Sequence, residues 1–168
     1  MDENKLLHAL YTVFLGVLIA LFVGVGISTF YTGPEEVTYP TESAEIAPSG
    51  QTQKERDIQA RYDRDYEAYN NEYEDYSRNV SIVALITAVL LIVIGIVFEV
   101  RLASLASGIL LGGIFTLLYS IGRGFAAEDS RYVFMVLTAS LVIVFYLGYR
   151  RFIVVAPSKN KSKKSRRK

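Results

Sequence analysis

The sequence predicts an all-α integral membrane protein with four transmembrane helices, the second of which extends outside the bilayer as an amphipathic helix lined by tyrosines. Three observations predict this fold. The apolar residues are gathered into long blocks instead of recurring at the periodicity of a globular domain. Acidic and basic residues are concentrated in different segments of the chain. The stretch "YDRDYEAYNNEYEDY", residues 62–76, repeats tyrosine at alternating steps of four and three residues.

The apolar blocks predict the membrane-spanning helices. A hydrocarbon core of roughly 30 Å requires about 20 helical residues. Four blocks have about that length or more, and none has a charge in its central part. The expected helices cover residues 6–31, 80–98, 102–122 and 132–155. Residues 1–31 then contain a short N-terminal segment and the first helix, whose apolar run is too long for a cleaved signal peptide.

The charge distribution predicts the orientation in the membrane. Residues 32–79 carry twelve acids and five bases, whereas the last ten residues carry seven bases and no acid. Because Lys and Arg near helix ends favour the cytoplasmic side, both termini are expected in the cytoplasm of a multi-pass plasma-membrane protein. Residues 32–79 and the turn at 123–131 are then external. This leaves Arg123 and Arg131 on the side that the rule makes poor in bases.

The basic residues after the fourth helix predict contact with anionic lipid. Residues 156–168 form a cytoplasmic tail that the inner leaflet attracts by about 1 kcal/mol for each basic residue near its surface. The expected headgroup contacts are Arg150, Arg151, Lys159, Lys161, Lys163, Lys164, Arg166, Arg167 and Lys168. A disordered tail that only fixes the orientation is the alternative. No specific nucleic acid is expected as a partner.

The external segment divides into a linker and a helix. Residues 32–51 are rich in Pro and Glu and are expected to be extended or disordered. Residues 52–79 are expected to form a helix that continues into the second membrane span, because no Pro and only one Gly occurs between residues 53 and 98. This helix would reach roughly 40 Å from the bilayer at 1.5 Å per residue.

Local interactions support this external helix. Thr52 and Glu55 have the spacing of a capping box, in which each side chain satisfies a backbone donor of the other. Acid–base pairs four residues apart, such as Glu74 with Arg78, are expected to add a few tenths of a kcal/mol each.

The tyrosines are expected to form a partner-binding surface on this helix. Their spacing puts one isoleucine and five tyrosines in the a and d positions of a coiled coil. These residues are Ile58, Tyr62, Tyr66, Tyr69, Tyr73 and Tyr76. A lone helix in water has no reason to keep such a stripe uncovered, and tyrosine indicates a partly wet contact. Four covers fit the pattern: residues 32–51 or 123–131 of the same chain, a second copy, another protein, or a glycan.

Small residues at every fourth position of the first and third helices predict close helix packing. The two ridges are Thr12, Gly16, Ala20, Gly24 and Ser28, and Ser104, Gly108, Gly112, Thr116 and Ser120. Lipid provides no hydrophobic drive between helices, so backbone approach at small residues has to join them. We expect a seam between the two helices; a hydroxyl-lined pore and a seam between copies are the alternatives.

No catalytic, cofactor-binding or metal site is expected. The chain has no Cys and one His, which excludes disulfides and thiolate or His-cluster metal sites. It also lacks the short motifs of metalloproteases, serine hydrolases, nucleotide-binding loops and dinucleotide-binding folds. No ionisable residue lies at mid-membrane depth, where functional sites of transporters usually have one.

The layout resembles that of small four-helix membrane proteins with one large external first loop. Tetraspanin-like and claudin-like proteins share it but carry cysteines in that loop, which this chain lacks. We therefore expect a non-enzymatic membrane scaffold or accessory subunit that associates with other proteins through its tyrosine-lined helix. Its partners are membrane lipids and either further copies of the chain or a larger membrane complex. A small oligomeric channel or transporter is the alternative.

Overall fold

A computed structural model describes residues 3–38, 53–99 and 101–150 of the chain. They form four α-helices: α1 (Glu3–Phe30), α2 (Gln53–Phe98), α3 (Ala103–Phe125) and α4 (Ser130–Tyr149). All four are long and apolar enough to cross a membrane. The predicted all-helical fold with four candidate membrane spans is therefore confirmed.

Several predicted features fall outside the described residues. They are the linker from residue 39 onward, the capping residue Thr52, the last residues of the fourth span up to Val155, and the tail. Of the predicted headgroup contacts, only Arg150 is described. Those outside are Arg151, Lys159, Lys161, Lys163, Lys164, Arg166, Arg167 and Lys168.

The helix ends near residue 126 differ from the predicted boundaries. α3 continues through Phe125, so Arg123 belongs to its last turn instead of the connecting turn. α4 begins at Ser130 because Asp129 caps it: the Asp129 side chain accepts hydrogen bonds from the backbone N–H groups of Arg131 and Tyr132. The connection between the two helices is therefore only four residues long, 126–129.

α3 lies at the centre of the bundle and packs against α2 and α1 more extensively than against α4. Small residues bring α2 and α3 together. A β-carbon added at Gly95 would lie 2.7 Å from Leu110, and one added at Gly113 would lie 2.8 Å from Ile92 and 3.2 Å from the Ala88 carbonyl oxygen. The α2 backbone thus approaches α3 too closely for any larger residue at these two positions.

A pair of serines joins the same two helices. Ser81 donates from its hydroxyl to the Ser120 carbonyl oxygen at 2.8 Å, and Ser120 donates back to the Ser81 carbonyl oxygen at 2.8 Å. Both side chains are fully buried. Hydroxyl donors that bond a neighbouring helix in this way satisfy themselves and hold the two backbones in one register.

The contact between α1 and α3 uses only the middle of the predicted ridges. A β-carbon at Gly16 would lie 3.0 Å from Leu111, and one at Gly112 would lie 2.8 Å from Ile19. Gly108 faces Leu15 in the same way, at 2.5 Å. Thr116 is buried and Ala20 is half-buried.

The ends of the two ridges lie away from this contact. Ser28 and Ser104 are exposed, and nothing lies within 4 Å of a β-carbon built at Gly24. The sequence ridges are therefore longer than the contact between the two helices.

Candidate functional site: a tyrosine ladder and an acidic cavity

α2 is by far the longest helix, with 46 residues against 23 in α3. It continues through Asn79 without a break. Its N-terminal half, residues 53–76, is called the arm below. Its remaining part, residues 77–98, belongs to the bundle. The arm is about 36 Å long at 1.5 Å per residue.

Five tyrosine rings follow one another along one face of the arm, in alternating stacked and tilted pairs, and are called the tyrosine ladder. The ladder consists of Tyr62, Tyr66, Tyr69, Tyr73 and Tyr76, and the centroids of successive rings are 5.8, 6.4, 5.9 and 6.3 Å apart. The helix produces this arrangement because residues three and four positions apart are neighbours on its surface. Each ring thereby covers part of the next, which buries aromatic area without a second helix.

The ladder continues the face of α2 that packs against α3. Below Tyr76 the same side of the helix carries Ser77, Val80, Ser81 and Ala84, all of which are buried. One helix face therefore contacts another helix over residues 77–98 and carries large aromatic rings over the arm.

The lower end of the ladder is covered by the segment that follows α1. Tyr31 stacks on Tyr76 with a centroid distance of 5.6 Å. Tyr76 also donates from its hydroxyl to the Tyr31 carbonyl oxygen at 3.2 Å. Gly33 lies so close to the Tyr76 ring that a β-carbon there would be 3.2 Å from it. Part of the ladder is thus internal packing of the chain.

Arg123 at the end of α3 binds the same rungs from another side. Its guanidinium carbon lies 4.8 Å from the Tyr76 ring centroid and 5.5 Å from that of Tyr73. It donates one hydrogen bond, at 3.3 Å, to the Tyr73 hydroxyl. Its Nε and second terminal nitrogen are buried without a hydrogen-bond partner in the described part of the chain. Two aromatic faces therefore hold this cation, and no carboxylate among the described residues pairs with it.

Further contacts fix the base of the arm to α4. Tyr132 donates from its hydroxyl to the Arg78 carbonyl oxygen at 3.2 Å. The Arg78 guanidinium bonds the Asp75 carboxylate at 2.8 Å. The predicted pair of Glu74 with Arg78 is wrong, because Arg78 turns to the acid three residues away. Glu74 remains available to line a cavity beside the ladder.

That cavity, called the acidic cavity, has a volume of about 480 Å³. It lies between the arm, the segment after α1 and the connection between α3 and α4. Its lining residues are Glu36, Val37, Tyr66, Tyr69, Asn70, Tyr73, Glu74, Ala126 and Glu128. Within the described ranges, none of its three carboxylates has a basic side chain at ion-pair distance.

Two local features define the chemistry of the acidic cavity. Glu128 has a φ of 50°, a left-handed conformation that is uncommon for any residue other than glycine, and it sits in the connection between α3 and α4. Partial burial raises the pKa of the Tyr69 hydroxyl, and the nearby carboxylate of Glu36 raises it further. Both causes disfavour additional negative charge at this place. The cavity therefore combines aromatic walls with a negative potential.

Exposure differs among the residues of the predicted partner-binding set. The Tyr66 side chain is 46% exposed. Ile58 and Tyr62 are partly buried, as are Tyr69, Tyr73 and Tyr76. The structure thus makes Tyr66 the most exposed member of this set.

A second cavity lies at the opposite end of the bundle. It has a volume of about 420 Å³ and is mainly apolar. Its lining residues include Thr12, Ile96, Leu110, Leu147, Glu99 and Arg150. Arg150 is half-buried here, and its contact with lipid headgroups stays a prediction.

The described residues of the site do not form a metal-binding group. In the ranges 3–38, 53–99 and 101–150, no group of three or more His, Cys, Asp or Glu side chains is placed to hold a metal ion. The three cavity carboxylates therefore do not converge on one point. The arrangement is suited to binding through aromatic faces and negative charge.

The chain matches no protein-family model, and it is similar to no curated protein and to no solved structure in the comparisons.

Sequence reasoning identified the tyrosines but missed Tyr31, Glu36 and Arg123. Of these, Arg123 had a signal: it is a base on the side where the orientation rule expects few.

Proposed function

We propose that the protein is a non-enzymatic membrane scaffold or accessory subunit whose arm contacts another protein outside the membrane. The observation that carries the proposal is the tyrosine ladder with its exposed second tyrosine, Tyr66. Tyrosine is enriched where protein interfaces have their strongest contacts, because its ring covers a large area and its hydroxyl finds a partner at a wet boundary.

The covered base of the ladder supports this proposal. Tyr31, which follows α1, stacks on Tyr76, and Arg123 of α3 lies over the rings of Tyr73 and Tyr76. Aromatic and cation–π contacts thus join the arm to the bundle. A contact surface gains affinity when it is preorganised, since less conformational entropy is lost on binding. In the proposed arrangement the bundle lies in the membrane, the contacts of Tyr73 and Tyr76 fix the orientation of the arm, and the exposed Tyr66 contacts the partner.

Charge segregation supports an external position for the arm. We propose that both termini lie in the cytoplasm of the plasma membrane and that residues 32–79 lie outside, because the seven bases of the last ten residues favour the inner side. The chain has no native Cys, so single cysteines introduced at Ser49 and Ser162 can be labelled without ambiguity. An impermeant reagent should label Ser49→Cys in intact cells. Labelling of Ser162→Cys instead would invert the topology.

Photo-crosslinking in native membranes tests the contact. A photo-reactive amino acid at Tyr66 should give an adduct of one defined mass, and the same group at the exposed neighbour Glu67 should not. Co-expression of two differently tagged copies shows whether the adduct contains a second copy of the chain, and mass spectrometry identifies any other protein. Equal adducts at both positions, or none at Tyr66, would contradict the proposal.

A further inference from the structure

The acidic cavity adjoins a place where the ladder already binds a guanidinium group. Arg123 lies over the rings of Tyr73 and Tyr76, at 5.5 and 4.8 Å from their centroids. Tyr73 is shared, because it also lines the cavity together with Tyr66 and Tyr69. The stacked rings thus continue from an occupied cation site into an open space with the same aromatic chemistry.

The charges around this space differ from those around Arg123. The described residues give Arg123 no carboxylate, whereas the cavity has Glu36, Glu74 and Glu128 and no basic side chain at ion-pair distance. A cation that enters the cavity would gain both the ring faces and direct charge pairing. A neutral planar ligand could stack on the rings but would gain no charge pairing, and the carboxylates would repel an anionic ligand.

Size and geometry narrow the class of cation. The volume of about 480 Å³ falls within the range of small-ligand pockets, so it admits a whole side chain. The carboxylates are not grouped as metal ligands within the described residues. A planar group with several donors can reach separated carboxylates and still stack on a ring, which describes guanidinium better than a compact ammonium.

We infer that the acidic cavity binds the guanidinium group of an arginine side chain that the partner protein presents to the arm. Tyr66, Tyr69 and Tyr73 supply the aromatic wall, and Glu36, Glu74 and Glu128 supply the opposite charge. This inference rests on the proposed function, because the arginine belongs to the partner. The raised pKa of Tyr69 agrees with it, since a bound cation would relieve the negative potential that Glu36 creates there.

The test uses the full chain in lipid nanodiscs and N-acetyl-arginine amide as the probe. Ring-labelled tyrosine resonances report binding directly. We expect a dissociation constant on the order of millimolar for this single side chain. N-acetyl-citrulline amide, which has the same shape without the charge, should bind at least about tenfold more weakly if charge pairing contributes as expected. N-acetyl-lysine amide should bind with intermediate strength.

A charge-matched pair of triple variants assigns the binding to the cavity. Glu36→Gln, Glu74→Gln and Glu128→Gln together should weaken probe binding by about tenfold or more. Asp57→Asn, Glu67→Gln and Glu72→Gln remove the same charge from exposed positions of the arm that do not line the cavity. This control should change binding by no more than about twofold, the effect of long-range potential under physiological screening. Equal binding of arginine and citrulline, equal loss in both variants, or no binding would overturn the inference.

The outcome separates this inference from the proposed function. If Tyr66 crosslinks to a partner in the cavity variant as efficiently as in the parent chain, and the probe does not bind, the scaffold function stands and the arginine site is rejected. If the probe binds and no crosslink forms at Tyr66, the cavity binds guanidinium and the partner contact is rejected.

Discussion

The two halves of α2 present the same helix face to two different surroundings. In the bundle half this face carries Ser81, Ala84 and Ala88, and in the arm it carries the tyrosine ladder. Inside the bundle the neighbour is another helix, and small side chains allow the backbones to approach. Along most of the arm no other helix of the described residues lies alongside, and large rings cover one another instead.

One helix face can therefore consist of small residues in one half of the helix and of large residues in the other half. Small residues make a face that is stable only when a second helix contacts it. Tyrosines make a face that is partly covered by itself and still able to receive a partner. The boundary falls between Tyr76 and Ser77, at the level where Tyr31 and Arg123 contact α2. The four substitutions below test the two kinds of face, from the largest expected effect to the smallest.

The largest effect is expected for Gly113→Leu in the bundle. Its β-carbon would meet Ile92 and the Ala88 carbonyl oxygen, and backbone cannot move aside as a flexible side chain can. We expect a loss of about 3 kcal/mol or more in detergent, at the upper end of overpacking effects. Gly122→Leu is the matched control, because nothing lies within 4 Å of a β-carbon at Gly122. Thermal unfolding followed by circular dichroism measures both, and equal melting temperatures would contradict the α2–α3 packing.

A smaller loss is expected for Gly16→Leu at the α1–α3 seam. Here a β-carbon would lie 3.0 Å from the Leu111 side chain, a longer distance than the 2.8 Å at Gly113, and the three nearest atoms include no backbone atom, so we expect about 1–2 kcal/mol. The sequence ridge alone predicts the same loss for Gly24→Leu. The structure has open space at Gly24, so that variant should melt like the parent chain. Destabilisation by Gly24→Leu would show that the seam is longer than the described contact.

Arg123→Gln should loosen the base of the arm and spare the bundle. It removes a cation from two aromatic faces, an interaction of about 0.5–2 kcal/mol, and leaves the α2–α3 contact unchanged. Hydrogen exchange should therefore rise in residues 31–38 and 69–76, and not in residues 80–98. Arg131→Gln at the exposed start of α4 is the control. Faster exchange across the whole of α2 would mean that Arg123 stabilises the bundle itself.

The smallest effect is a shift in the pKa of Tyr69. Its pKa is raised by partial burial and by Glu36, so Glu36→Gln should lower it toward the ordinary value of about 10 without reaching that value. Because the folded pKa lies above the unfolded one, the associated stability is complete below the unfolded pKa and is lost as the pH rises through the folded pKa. In the variant this loss should still begin near the unfolded pKa, and it should end at lower pH. Ring resonances of labelled tyrosine report the titration, and an unchanged Tyr69 would remove Glu36 as a cause.

The membrane-spanning helices could be predicted because bilayer thickness sets their length, and four apolar blocks of about that length are visible without any structure. The α2–α3 packing could not. Its small residues, Ser81, Ala84 and Ala88, lie within a strongly apolar block, where steps of three and four residues do not stand out as they do among the charged residues around the tyrosines. Gly16 and Gly24 look equivalent in sequence, but only a β-carbon at Gly16 would contact a side chain of another helix.

Only the part of the candidate site that α2 contributes could be predicted from the sequence. The spacing of Tyr66, Tyr69 and Tyr73 determines a common face from helical geometry alone. Glu36 and Glu128 reach that face through two separate connections, and their approach depends on where α1 and α3 end. Since α3 continues through Phe125, Arg123 reaches the rings from the last turn of a helix, a position that the predicted boundary at residue 122 excluded.

Because α2 is unbroken, a tilt of the helix moves both of its halves. The pivot of such a tilt is the level of Tyr76, where Tyr31 and Arg123 contact α2. From Tyr76 to Gln53 the helix measures about 35 Å at 1.5 Å per residue. A tilt of about 10° within the bundle would swing the tip through about 6 Å, roughly one helical turn. The part of α2 from Tyr76 to Phe98 is about 33 Å long, so the same rigid tilt would move the Phe98 end by nearly as much in the opposite direction. A displacement of the tip would therefore report a comparable displacement of α2 against α3.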